Sequence, residues 1–130
     1  MEERVIKNIS CYVGDEEEIW KGKILLEKDG RFKGLANDDF CLSYISGSKK
    51  GENVNFSLVH CDSMDHLYSF KETGSFNQYK YYNGVWNNTI GKMVECYLTV
   101  EEINSDTMED DIKKLEKKIN DFNENKKTIQ

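Results

Sequence analysis

Residues 19–34 read Ile19-Trp20-Lys21-Gly22-Lys23-Ile24-Leu25-Leu26-Glu27-Lys28-Asp29-Gly30-Arg31-Phe32-Lys33-Gly34. This stretch holds a strand, a turn and the strand that returns. Trp20, Gly22, Ile24 and Leu26 alternate with Lys21, Lys23 and Leu25, which is the period of a pleated strand with one face buried. Asp29-Gly30 between two such runs is the strongest short hairpin signal.

The pattern repeats along the chain. Trp20, Phe32, Tyr44, Phe56 and Tyr68 stand twelve residues apart. Three of them open an aromatic-then-glycine signature: Trp20-Lys21-Gly22, Phe32-Lys33-Gly34 and Tyr44-Ile45-Ser46-Gly47. Tyr82-Asn83-Gly84 adds a late copy. A beat of this length is one strand plus one turn.

Strands are expected at 5–13, 19–28, 31–36, 40–46, 53–61, 66–72, 76–86 and 92–101. Polar turns are expected between them, among them Gly47-Ser48-Lys49-Lys50-Gly51 and Thr73-Gly74-Ser75. Sequential antiparallel strands pair in order, and a set of about eight removes its edges by closing. The fold class is therefore mainly β: an antiparallel up-and-down meander of about eight strands, closed into a barrel.

Residues 105–126 have a different period. Met108, Ile112, Leu115, Ile119 and Phe122 step by four and three, a helical seam. Asp106 and Glu109 resemble a capping box at its start. The division is a barrel over 1–104 and an amphipathic helix over 105–130, packed on the barrel or at a dimer interface. Monomer and homodimer are both compatible with this.

The chain has 130 residues, enough for one core, and a net charge of −6. That charge opposes nucleic-acid binding, which needs cations to neutralise phosphates, and docking on anionic membranes. No apolar run approaches the roughly 18 residues of a membrane span, and no signal pattern opens the chain. A soluble cytoplasmic protein is expected. Cys11, Cys41, Cys61 and Cys96 form no CxxC pair, so free buried thiols are expected.

The Trp-x-Gly near the start, the even meander and the trailing helix resemble the calycin group of lipocalins, fatty-acid-binding proteins and avidins. Trp20-Lys21-Gly22 is similar to the lipocalin Gly-x-Trp element, with Glu18 at the glycine position. The resemblance implies a barrel that binds a small apolar or aromatic ligand inside and does no chemistry.

Trp20, Tyr44, Phe56, Tyr68, Tyr82 and Trp86 are the candidate pocket rings. His60 shares strand parity with Phe56 and Leu58, and Glu72 with Tyr68 and Phe70, so both are candidate orienting groups. His60 to His66 is dense in metal-ligand types but matches no established metal spacing, and the acidic clusters Asp15–Glu18 and Asp38-Asp39 lack a calcium-loop pattern. No metal, cofactor or catalytic residue is assigned.

The expected function is non-enzymatic binding of a small, partly apolar ligand inside the barrel. The alternative is a small acidic protein-interaction module of the immunity-protein or inhibitor type. Its partner would meet the rings of Tyr79 and Tyr81, which parity turns outward.

Overall fold

Alternation along each strand sends one side chain in two toward a shared interior, and the short turns keep neighbours in sequence order. The structure, a computed structural model, is described for residues 4–13, 17–37, 42–59, 65–87, 93–101 and 109–128. Its strands are β1 (Val5–Val13), β2 (Glu17–Leu26), β3 (Arg31–Asn37), β4 (Leu42–Lys50), β5 (Asn53–Val59), β6 (Asp65–Phe76), β7 (Tyr79–Asn87) and β8 (Met93–Glu101). Each pairs antiparallel with the next. β1 also pairs with β8, Cys11 opposite Leu98, so the meander closes.

Ile9, Cys11, Trp20, Ile24, Phe32, Ile45, Phe56, Leu58, Tyr68, Phe70, Tyr82 and Leu98 are buried in a single interior cluster. Glycines let neighbouring strands approach closely around this interior. Gly22, Gly34 and Gly84 stand two residues after Trp20, Phe32 and Tyr82, on the same inward parity. A Cβ at Gly84 would collide with the Ser69 carbonyl and stand 2.7 Å from Phe70 Cα; one at Gly34 would stand 2.7 Å from Ile24 Cα. The strands can lie this close at these points because no side chain is there.

Two expected turns are strand instead. β4 runs through Gly47 to Lys50, and the chain turns only at Gly51 and Glu52, where Gly51 has φ 60°. Thr73-Gly74-Ser75 lies within β6, which absorbs these turn-forming residues as a register shift between Glu72 and Gly74. The Thr73 hydroxyl donates to the Tyr81 carbonyl across that shift, at 3.1 Å. The hairpin turns later, at Asn77 (φ 58°) and Gln78. Asp29-Gly30 behaves as its sequence indicates: Gly30 has φ 97°, and Asp29 accepts from the Arg31 amide and side chain.

The helix α1 (Glu109–Thr128) lies on the outside of its own barrel. Ile112, Leu115 and Ile119 bury against Leu25 and Leu35, with Ile6, Tyr44 and Phe122 at the margin. Leu25 interrupts the polar side of β2 because this outer face is covered. Glu109, Asp110 and Asp111 occupy the first turn, where acids complement the helix dipole. The expected cap residues and Met108 lie outside the described residues. Arg4 ties the helix to the barrel, 2.8 Å from Glu116 and 3.8 Å from Glu27.

The hydrogen bond from Arg4 holds the Glu116 carboxyl below its ordinary value, helped by the charges of Arg4 and Lys33. A depressed carboxylate contributes stability above its unfolded pKa and loses it as pH falls through the folded one. The link should therefore be intact at pH 6 and fade below about pH 4.5, the ordinary glutamate value. A half-buried pair that still reaches solvent is worth about 0.2–1 kcal/mol. Chemical unfolding of Glu116→Gln and the parent should differ by that amount at pH 6, and the gap should close as pH falls below about 4.5; a gap that widens in acid contradicts the assignment.

Gly84→Ala should cost about 1–3 kcal/mol in urea unfolding, through overpacking against β6. Gly74→Ala should stay within about 1 kcal/mol of the parent, because its Cβ meets nothing within 4 Å. Equal effects at the two positions would remove the steric account.

Candidate functional site

The barrel has two ends. One is where β1, β3, β5 and β7 finish, at Val13, Asn37, Val59 and Asn87. The other carries the turns after β2, β4 and β6. Trp20, His66, Tyr68 and Trp86 lie toward the first end. Tyr68 and Trp86 stack with centroids 6.0 Å apart at 7°, and Trp20 meets Tyr68 edge-on at 5.8 Å and 90°. Trp20 Nε1–H donates to the Tyr68 hydroxyl at 3.2 Å, and Trp86 Nε1–H donates to His66 Nδ1 at 2.7 Å. Nδ1 of His66 is the acceptor in that bond. Phe56 stacks on Tyr68 at 4.9 Å and joins this group to Phe32 and Phe70.

Five of the eight sequence candidates, Trp20, Phe56, Tyr68, Tyr82 and Trp86, belong to or pack against this interior cluster. Tyr44 does not. Its ring lies outside, stacked 6.5 Å from Phe122 of the helix. The reason is in the spacing: Gly47 follows Tyr44 by three residues rather than two, so the inward ring position is taken by Ile45, which is 0% exposed. Glu72 keeps the expected parity but is half-buried at the turn end, 3.7 Å from Lys80, with which it is ion-paired. His60 lies outside the described residues, as do Cys41, Cys61, Asp15, Glu16, Asp38, Asp39 and most of the His60–His66 turn. His66 is the histidine found inside, and its shared parity with Tyr68 and Phe70 was a signal for it.

Among the described residues, no three of His, Cys, Asp and Glu converge to hold a metal. No buried side-chain nitrogen or oxygen among them lacks a hydrogen-bond partner. The interior polar groups are therefore satisfied by the protein itself.

A partly open space does remain at the turn end. It is a cavity of about 40 Å³, walled by Ile24, Phe32, Phe56, Tyr82 and Leu98 and rimmed by Lys7 and Lys49. Both lysines share inward parity with buried neighbours, Lys7 with Ile9 and Lys49 with Ile45, and both are half-buried. Sequence reading missed them. Lys49 lies in a stretch of turn-forming residues, Gly47 to Gly51, and Lys7 is a charged residue in phase with Ile9, Cys11 and Val13, so a search for apolar faces passes over both.

Cys11 and Cys96 are free and buried. Contact with the Cys96 sulfur, then burial, pushes the Cys11 thiol above its ordinary range, and the same contact draws the Cys96 thiol down.

No protein-family model, curated protein or solved structure matches the chain.

With Cys41 and Cys61 replaced by serine, an aromatic disulfide reagent should leave the protein unmodified in native buffer and modify two thiols in denaturant. Rapid native labelling at Cys11 would contradict its burial.

Proposed function

We propose that the chain is a calycin-like binding protein that does no chemistry and takes a small ligand with an apolar body and an anionic head. The observation that carries this reading is the turn-end cavity: apolar walls beneath two lysines. A binding site is typically apolar, with a few polar groups converging on one point. Lys80, at the same end, is paired with Glu72, whereas no carboxylate among the described residues lies within ion-pair distance of Lys7 or Lys49. Two ammonium groups with apolar surface below them suit a carboxylate whose tail points inward.

Volume limits the ligand. A water needs roughly 10–15 Å³ of such space, and drug-sized ligands occupy roughly 300–1,000 Å³. The cavity of about 40 Å³ therefore suits the end of a short chain, with the head held at the rim. Of the rings proposed from sequence, Phe56 and Tyr82 contribute to this wall; Trp20, Tyr68 and Trp86 support it from behind.

Calorimetric titration with hexanoate, hexanol and hexylamine tests this. Hexanoate should bind, hexanol at least about tenfold more weakly, and hexylamine most weakly. Lys7→Gln combined with Lys49→Gln should abolish the preference for the acid. Absence of hexanoate binding, or an unchanged preference in the double variant, would overturn the proposal.

A further inference from the structure

The outer surface of β7, β8 and β1 carries a groove of about 500 Å³ that the interior site does not involve. Tyr12, Tyr79, Tyr81 and Tyr97 line it, with Asn8 and Glu101. Strand register sets these side chains in rows: Tyr79 beside Glu101, Tyr81 beside Thr99, and Tyr97 beside Tyr12. The Tyr12 and Tyr97 rings stack, 5.1 Å apart at 11°. Asn8 Nδ2–H donates to Glu101 Oε2 at 2.9 Å and holds that carboxylate at its end of the groove. Phe76, 68% exposed and opposite Tyr79 in register, extends the aromatic surface to the hairpin tip.

The fold does not require these rings outside. Helix α1 covers β2, β3 and β4 and leaves this face open. Ladders engage β7, β8 and β1 on both sides, so a partner cannot dock by adding a strand. Recognition there must go through side chains. Tyrosine with small polar residues is the composition of surfaces that bind proteins, because rigid rings supply contact area at low entropic cost.

The charge pattern selects the partner. Among the described residues that line the groove, Glu101 is the one charged side chain, and the whole chain carries −6. Tyrosine faces attract cations. Phosphates would meet a carboxylate and, among the described lining residues, no cation. A guanidinium is planar, stacks on rings and forks onto a carboxylate, which an ammonium does less well. We infer that this groove docks an arginine-bearing segment of a partner protein, with the guanidinium seated among the tyrosines and paired with Glu101. The inference is independent of the interior ligand.

The test is a titration of the full chain with an oligoarginine peptide and with its neutral citrulline counterpart, followed residue by residue by heteronuclear NMR at constant ionic strength. Arginine peptide should shift the amides of β7, β8 and β1, and citrulline peptide should bind at least about tenfold more weakly. Tyr81→Ser with Tyr97→Ser keeps the net charge and should weaken arginine binding roughly tenfold; Tyr81→Ser alone serves if the pair is unfolded. Equal binding of citrulline, shifts centred elsewhere, or binding unchanged by the tyrosine substitutions would overturn the inference. So would dimerisation of the chain through this face.

Discussion

Closure of this barrel depends on a close fit between inward glycines and the backbone of the strands beside them, around an interior packed with rings. Neighbouring strands approach this closely only where one of them offers bare backbone. Gly22, Gly34 and Gly84 supply that backbone two residues beyond Trp20, Phe32 and Tyr82. The same absence of a Cβ permits the local coiling that brings β8 round to β1. Ring packing and closure are thus one constraint with two consequences. Burial of the rings stabilises the interior, and the missing side chains give the sheet its curvature.

The remaining architecture follows from which outer faces are covered. Leu25 and Leu35 form an apolar outer face on β2 and β3, and α1 buries it with Ile112, Leu115 and Ile119. Arg4 links the helix to the base of the barrel through Glu116 and Glu27. On the opposite side, β7, β8 and β1 carry tyrosines that α1 does not cover. One barrel therefore offers three environments: a ring-packed interior, a helix-covered outer wall and an open aromatic groove.

Much of this was readable in the chain. Period-two alternation and the Asp29-Gly30 turn located the strands within a few residues, and the step of four and three located the helix. The errors share a physical origin. Gly47 to Lys50 and Thr73 to Ser75 are turn-forming types, but a ladder with partners on both sides kept them in strand, once by running on and once through a bulge. The twelve-residue beat placed Tyr44 inside, whereas its distance to the next glycine placed it outside. Inward lysines were invisible to a search for apolar faces, because a lysine at a barrel end keeps its stem on the apolar wall and its charge at the rim. The outward parity of Tyr79 and Tyr81 was legible. Their assembly with Tyr12 and Tyr97 was not, since it depends on β1 meeting β8, across most of the chain length.

That meeting is also where the account is most directly tested. In an open sheet, β1 and β8 would each leave alternate amides without a ladder partner, and those amides would exchange rapidly with solvent. Native-state hydrogen exchange resolved by residue separates the two cases. The closed barrel predicts that amides from Ile9 to Val13 and from Cys96 to Val100 exchange as slowly as those in the centre of β4 and β5. Alternate fast amides along β1 or β8, with slow exchange kept elsewhere, would contradict closure and the ring-and-glycine packing that depends on it.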